Sequence, residues 1–132
     1  MHVLDDPSED LVAAHGAWGS VLFLDHADGL PSLRRFIGQL SPSVKTRLRC
    51  LLEKFSDVGE LHNSDVFRPL CDPIHELVIG NNHISCIRSG TAWFLLCGCT
   101  FSGEDWPDSD RARALTLAKS KGFIAEISPK EV

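Results

Sequence analysis

The stretch PIHELVIGNNHISCIRSGTAWFLLCGCTF, residues 73–101, decides the fold. It divides into PIHELVIG at 73–80, NHISCIRS at 82–89 and TAWFLLCGCTF at 91–101, runs rich in aliphatic, β-branched and aromatic residues. Gly80-Asn81-Asn82 and Ser89-Gly90 separate them, and both are turn chemistry suited to tight hairpins. The pattern predicts three strands in an antiparallel meander. The third run is apolar almost throughout, so it is expected at the centre of the sheet with both faces covered.

Upstream, the period changes from two to between three and four. Leu33, Phe36, Ile37 and Leu40 form one helical face, with Pro31 suited to a first turn. In SVKTRLRCLLEKF (43–55), Val44, Leu48, Leu51, Leu52 and Phe55 form a second stripe, while Lys45, Arg47, Arg49 and Lys54 take the other side. Ser41 or Ser43 can cap this helix, and the two make a helical hairpin. SVLFLD at 20–25 reads as a buried first strand, and 56–72 as a loop. Downstream, the acids of 105–110 open a helix that runs through RARALTLAKSK and stops at Gly122. FIAEI at 123–127 is expected as a last edge strand. Residues 1–19 read as an acidic, flexible segment with a short helix at 8–14, and 20–132 as a single α+β domain.

The chain has 132 residues and a net charge of −5. Asp5, Asp6, Glu9 and Asp10 account for four of the negatives, leaving 13 basic and 14 acidic residues in the remainder. That balance excludes a strongly basic nucleic-acid binder. The basic face at 45–54 stays open between a solvated surface and an RNA or partner contact. No apolar run approaches the roughly 20 residues that cross a bilayer, and no basic-then-apolar leader opens the chain, so the cytoplasm and no membrane partner are expected.

Five cysteines, an odd number, sit mostly in apolar company and read as reduced thiols. Cys97 and Cys99 share one face of a strand, as a ligand pair or as small core residues. No C-x-x-C accompanies them, so neither a metal nor a cofactor is expected. Strand geometry also holds their Cα atoms about 6.7 Å apart, too far for an easy disulfide. G-x-S-x-G, P-loop and G-x-G-x-x-G motifs are absent, which removes three large enzyme classes.

Ile74-His75-Glu76-Leu77-Val78, His83-Ile84-Ser85-Cys86 and Trp93-Phe94-Leu95-Leu96-Cys97-Gly98-Cys99 follow Phe67-Arg68-Pro69-Leu70 and precede the helix at 110–121. These words, in the order β-α-α-β-β-β-α, resemble the RelE/HigB-like toxin superfamily of bacterial type II toxin–antitoxin systems over roughly residues 20–122. The resemblance implies a helical hairpin packed on an antiparallel, mostly meander sheet with a C-terminal helix. It also implies a toxin that cleaves mRNA on the ribosome and inhibits translation, with a cognate antitoxin as partner.

Such cleavage needs a base for the 2′-hydroxyl, an acid for the leaving oxygen and cations for the phosphorane. The candidates here are His83, Arg88 and His75 for catalysis, with Arg68, Arg47 and Arg49 for RNA. His83 and Arg88 can equally be strand residues without chemistry. His75 and Glu76 point to opposite faces, and the face His83 takes is open. The family's motif arginine is Val78 in this chain, its strand tyrosine is Cys86, and its post-strand lysines are Ser102, Gly103, Glu104 and Asp105. These departures bring the alternative, a catalytically inactive RelE-fold protein acting as a binding or regulatory module, nearly level with the toxin that the resemblance implies.

Overall fold

The computed structural model describes residues 12–24, 33–103, 105–120 and 122. Strands β1 (Val12–His15) and β2 (Ser20–Phe23) precede helices α1 (Leu33–Gly38) and α2 (Pro42–Val58). Four strands follow: β3 (Phe67–Cys71), β4 (Ile74–Ile79), β5 (Asn82–Ser89) and β6 (Ala92–Thr100), and then helix α3 (Asp108–Ser120). The six strands form one sheet in the order β1-β2-β6-β5-β4-β3. Every pairing is antiparallel except β2 with β6, which is parallel. The α+β class, helices at Leu33–Gly38 and Pro42–Val58 and the meander of residues 73–101 stand as expected.

Gly80 and Gly90 each open a two-residue turn with φ of 64° and 62°, the positive value that a type II′ hairpin demands at its first central position. α2 is capped at both ends. The Ser41 hydroxyl accepts from the Val44 amide at 3.3 Å, and Gly59 closes the helix in the left-handed region.

Two segments differ from their expected states. Residues 12–19 contain a strand where a helix over 8–14 is expected: β1 pairs with β2, and the amides of Trp18 and Gly19 both donate to the Ser56 carbonyl of α2. Four residues without a full apolar alternation are too few to register as a strand, so tertiary contacts decide. Likewise, residues 67–71 form edge strand β3, where Pro69 lowers strand propensity but is tolerated at a sheet edge. The expected helix at 8–14 gives way at Val12–Ala14 to strand, its remainder lying outside the described residues, as do the expected strand at 123–127 and Glu104.

The sheet is covered on both faces. On one face, Leu33 and Ile37 of α1 and Leu48, Leu52 and Phe55 of α2 pack with Val21, Leu77, Ile84, Trp93 and Leu95. On the other, Ala114, Leu117 and Ala118 of α3 pack with Ile74, Ile87, Leu96, Cys97 and Cys99. β6 contributes Trp93 and Leu95 to the first face but Cys97 and Cys99 to the second, a change of parity within one strand. A β-bulge causes it. Ile84 pairs with Gly98 and Cys86 with Leu95, so Leu96 and Cys97 together oppose Ser85 alone.

Ser85 fills the gap that the bulge opens. Its hydroxyl donates to the Cys97 carbonyl and accepts from the Cys97 amide, each at 3.1 Å. A buried serine thereby satisfies the backbone groups that the ladder leaves. Among the described residues, no helix is long and apolar enough to cross a membrane.

Candidate functional site

The β4–β5 hairpin aligns Glu76 with Ser85 and Val78 with His83, so Glu76 and His83 stand diagonally on the α3 face. Across the other ladder, Arg68 of β3 lies opposite Glu76. The chain leaving β6 turns back over this face, bringing Phe101 and Trp106 above the two. Glu76 Oε1 accepts from Trp106 Nε1 at 2.9 Å and lies 2.7 Å from His83 Nδ1, while Oε2 accepts from Arg68 Nε at 3.2 Å. An ionised carboxylate only accepts, so opposite one Nδ1 is the donor.

Glu76 and His83 are only 3% and 2% exposed, whereas Arg68 is 34% exposed. The His83 ring lies parallel to Phe101, with centroids 3.8 Å apart and planes inclined by 9°. A carboxylate taken out of water is tolerated only when paired and hydrogen-bonded, and three donors meet that condition here. The arrangement fixes the imidazole from one nitrogen and one face.

The other sequence candidates do not converge on this cluster. His75 lies on the α2 face, half-buried, stacked on Phe67 at 5.0 Å and edge-on to Trp93 at 5.5 Å. Its Nδ1 is buried with no hydrogen-bond partner among the described residues. Arg88 is exposed at the end of β5, where its Nε donates to the Gly90 carbonyl and its guanidinium lies 5.1 Å from the Trp18 ring centroid. Arg47 and Arg49 sit on α2, exposed and half-buried, across the sheet from Arg68. The catalytic trio is thus divided between two faces, and so is the arginine set.

The cysteines are free thiols. Cys97 and Cys99 share the α3 face, and burial raises both. Cys99 is pushed up to about 12, first by burial and then by Asp110, Cys97 and Glu76. Cys86 is raised well above its ordinary value by burial and by Glu76. Thiols held protonated in this way are poor nucleophiles. Among the described residues, no three His, Cys, Asp or Glu side chains come together as metal ligands.

Three members of the cluster escape the sequence reading: Trp106, Phe101 and the pairing role of Glu76. Folding residues 73–89 about Gly80-Asn81 places Glu76 and His83 on one face, so that signal was present in the spacing. The approach of Trp106 depends on the path after β6, which no local pattern encodes. No protein-family model matches the sequence, and no curated protein matches it either.

Proposed function

We propose that this chain is a RelE/HigB-like domain acting as a catalytically silent protein-binding or regulatory module. The observation that carries the reading is the burial of His83. This candidate acid–base is clamped at Nδ1 by Glu76 and roofed by Phe101 and Trp106. General acid–base catalysis requires the proton carrier within hydrogen-bond reach of the substrate, and here Nδ1 is held by Glu76 while the side chain is 2% exposed. A carboxylate beside the imidazole also opposes an incoming phosphate.

The second reading is the toxin of a toxin–antitoxin pair that cleaves ribosome-bound mRNA. It is favoured by the exposed cations Arg47 and Lys54 on α2, which would meet an RNA backbone. Controlled expression in bacteria separates the two. The binding-module reading expects unchanged growth and protein synthesis, together with a stable complex when the chain is co-expressed with the product of the adjacent reading frame. Growth arrest with loss of mRNA, relieved by that neighbouring product, would instead establish the toxin.

A further inference from the structure

Three chain reversals meet at the end of the sheet where β5 gives way to β6, and they build a surface apart from the Glu76 cluster. The β1–β2 turn is tied to the last turn of α2. The amides of Trp18 and Gly19 donate to the Ser56 carbonyl, and the Ala17 amide donates to Asp57 Oδ1 at 3.0 Å. The Ser20 amide reaches the Thr91 carbonyl in the β5–β6 turn. Trp18 is thereby laid on Gly59, the glycine that ends α2, where a Cβ would overlap the indole ring. The Gly59 carbonyl in turn accepts from buried Trp93 Nε1 at 2.7 Å. Over the Trp18 indole lies the Arg88 guanidinium, pinned through Nε by the Gly90 carbonyl.

Val58, one residue before Gly59, is 50% exposed, and among the described residues it is the large apolar side chain left in solvent. Lys54 stands one turn before it on the same stripe of α2 and is exposed, as is Arg88. Among the described residues neither cation makes an ion pair, and Trp18 Nε1 donates to no acceptor. Of the adjoining carboxylates, Asp57 spends one oxygen on the Ala17 amide, and Glu60 is exposed. The patch thus has an apolar centre of valine and indole with donors around it: a guanidinium, an ammonium and an indole N–H. Tryptophan and arginine are the residues that most often carry binding energy in protein interfaces, and turns fixed in this way have little order left to gain on docking.

We propose that this surface docks an acidic segment of a partner protein. One apolar side chain of the segment covers Val58 and the exposed edge of Trp18, and its flanking carboxylates accept from Arg88, Lys54 and the indole N–H. In this reading, which rests on the chain being a binding module, the partner is acidic and locally apolar. RNA carries a charge at every nucleotide and would bring phosphates against Asp57 and Glu60, whereas a peptide places carboxylates only where the cations stand.

The test titrates the full 15N-labelled chain with two short peptides and with oligouridylate. One peptide alternates leucine with glutamate, and the other has glutamine in place of every glutamate. The readout is the Trp18 indole N–H resonance, identified by its loss in Trp18→Phe. A saturable shift with the glutamate peptide, at least about tenfold tighter than with the glutamine peptide, supports the proposal. Arg88→Gln and Val58→Ser should each weaken that binding about tenfold, and Glu60→Gln should strengthen it. All three side chains are exposed, so no variant removes a core contact. The proposal is overturned if the glutamate peptide leaves the Trp18 resonance in place, if the two peptides bind alike, or if oligouridylate binds more tightly than either. It is also overturned if the double variant Arg88→Gln/Val58→Ser binds as the wild type does. A complex with the product of the adjacent reading frame that survives this double variant overturns the surface and leaves the binding-module reading standing. Growth arrest with loss of mRNA fails that reading, while the peptide titration still decides the surface.

Discussion

Replacing Glu76 by glutamine tests the buried cluster with almost no change of shape. The carboxylate serves three donors through two oxygens: His83 and Trp106 at Oε1, Arg68 at Oε2. A glutamine keeps one oxygen and puts an NH2 group where the other stood. With the oxygen held by His83 and Trp106, the NH2 faces the Arg68 Nε–H, and that bond is lost. Arg68 is 34% exposed and can turn to water, so this loss is worth less than about 1 kcal/mol.

The two buried bonds survive but lose the charge that strengthens them, at roughly 0.5–1 kcal/mol each. The sum is about 2 kcal/mol of stability, and a drop in melting temperature of about 6–10 °C for a chain of this length. Urea denaturation followed by circular dichroism should show a lower midpoint at unchanged slope. Arg68→Met should cost under about 1 kcal/mol, and Glu76→Leu about 4 kcal/mol, because it leaves both buried donors unpaired. A Glu76→Gln protein within about 0.5 kcal/mol of wild type would refute this reasoning. So would Arg68→Met costing more than Glu76→Gln.

Other consequences are open to similar measurement. Ser85→Ala removes the hydroxyl that pairs both backbone groups of Cys97 inside the bulge, and should cost about 1–3 kcal/mol in urea unfolding. Gly98→Ala drives a methyl group into the Phe36 ring, and should cost about 1–3 kcal/mol, much of it recovered in a Gly98→Ala/Phe36→Leu double-mutant cycle. In the native protein an alkylating reagent should modify exposed Cys50 well before Cys86, Cys97 and Cys99, with mass spectrometry of the digested protein giving the order. Burial raises the Cys99 thiol from 9.0 to about 12, so the unfolded chain releases its proton first, and stability should fall as pH rises from about 9 toward 12.

Much of the architecture was legible because its signals are local and periodic. The two turns at Gly80 and Gly90 fix the meander, and the apolar stripe from Val44 to Phe55 fixes α2. β1 and β3 were not legible. Each is short and at a sheet edge, and each owes its state to partners: β2 and the Ser56 carbonyl for the first region, β4 for the second. The parity of β6 was hidden for another reason. Cys97 and Cys99 do share a face, as their spacing requires, but the bulge moves that face to the α3 side.

The candidate site was half legible. His83 and Glu76 can be put on one face by folding the sequence about its turn. That they are buried cannot, since burial comes from Phe101 and Trp106 closing over them. Long-range placements of this kind follow from topology and not from pattern.

The central claim is that Glu76 and His83 hold the fold together and do no chemistry on RNA. The most direct measurement incubates the purified chain with translating ribosomes and a defined mRNA, and maps the RNA ends. The account predicts intact mRNA for the wild type, with Glu76→Gln and His83→Gln changing stability alone. Cleavage by the wild type that disappears in a folded His83→Gln protein would contradict it.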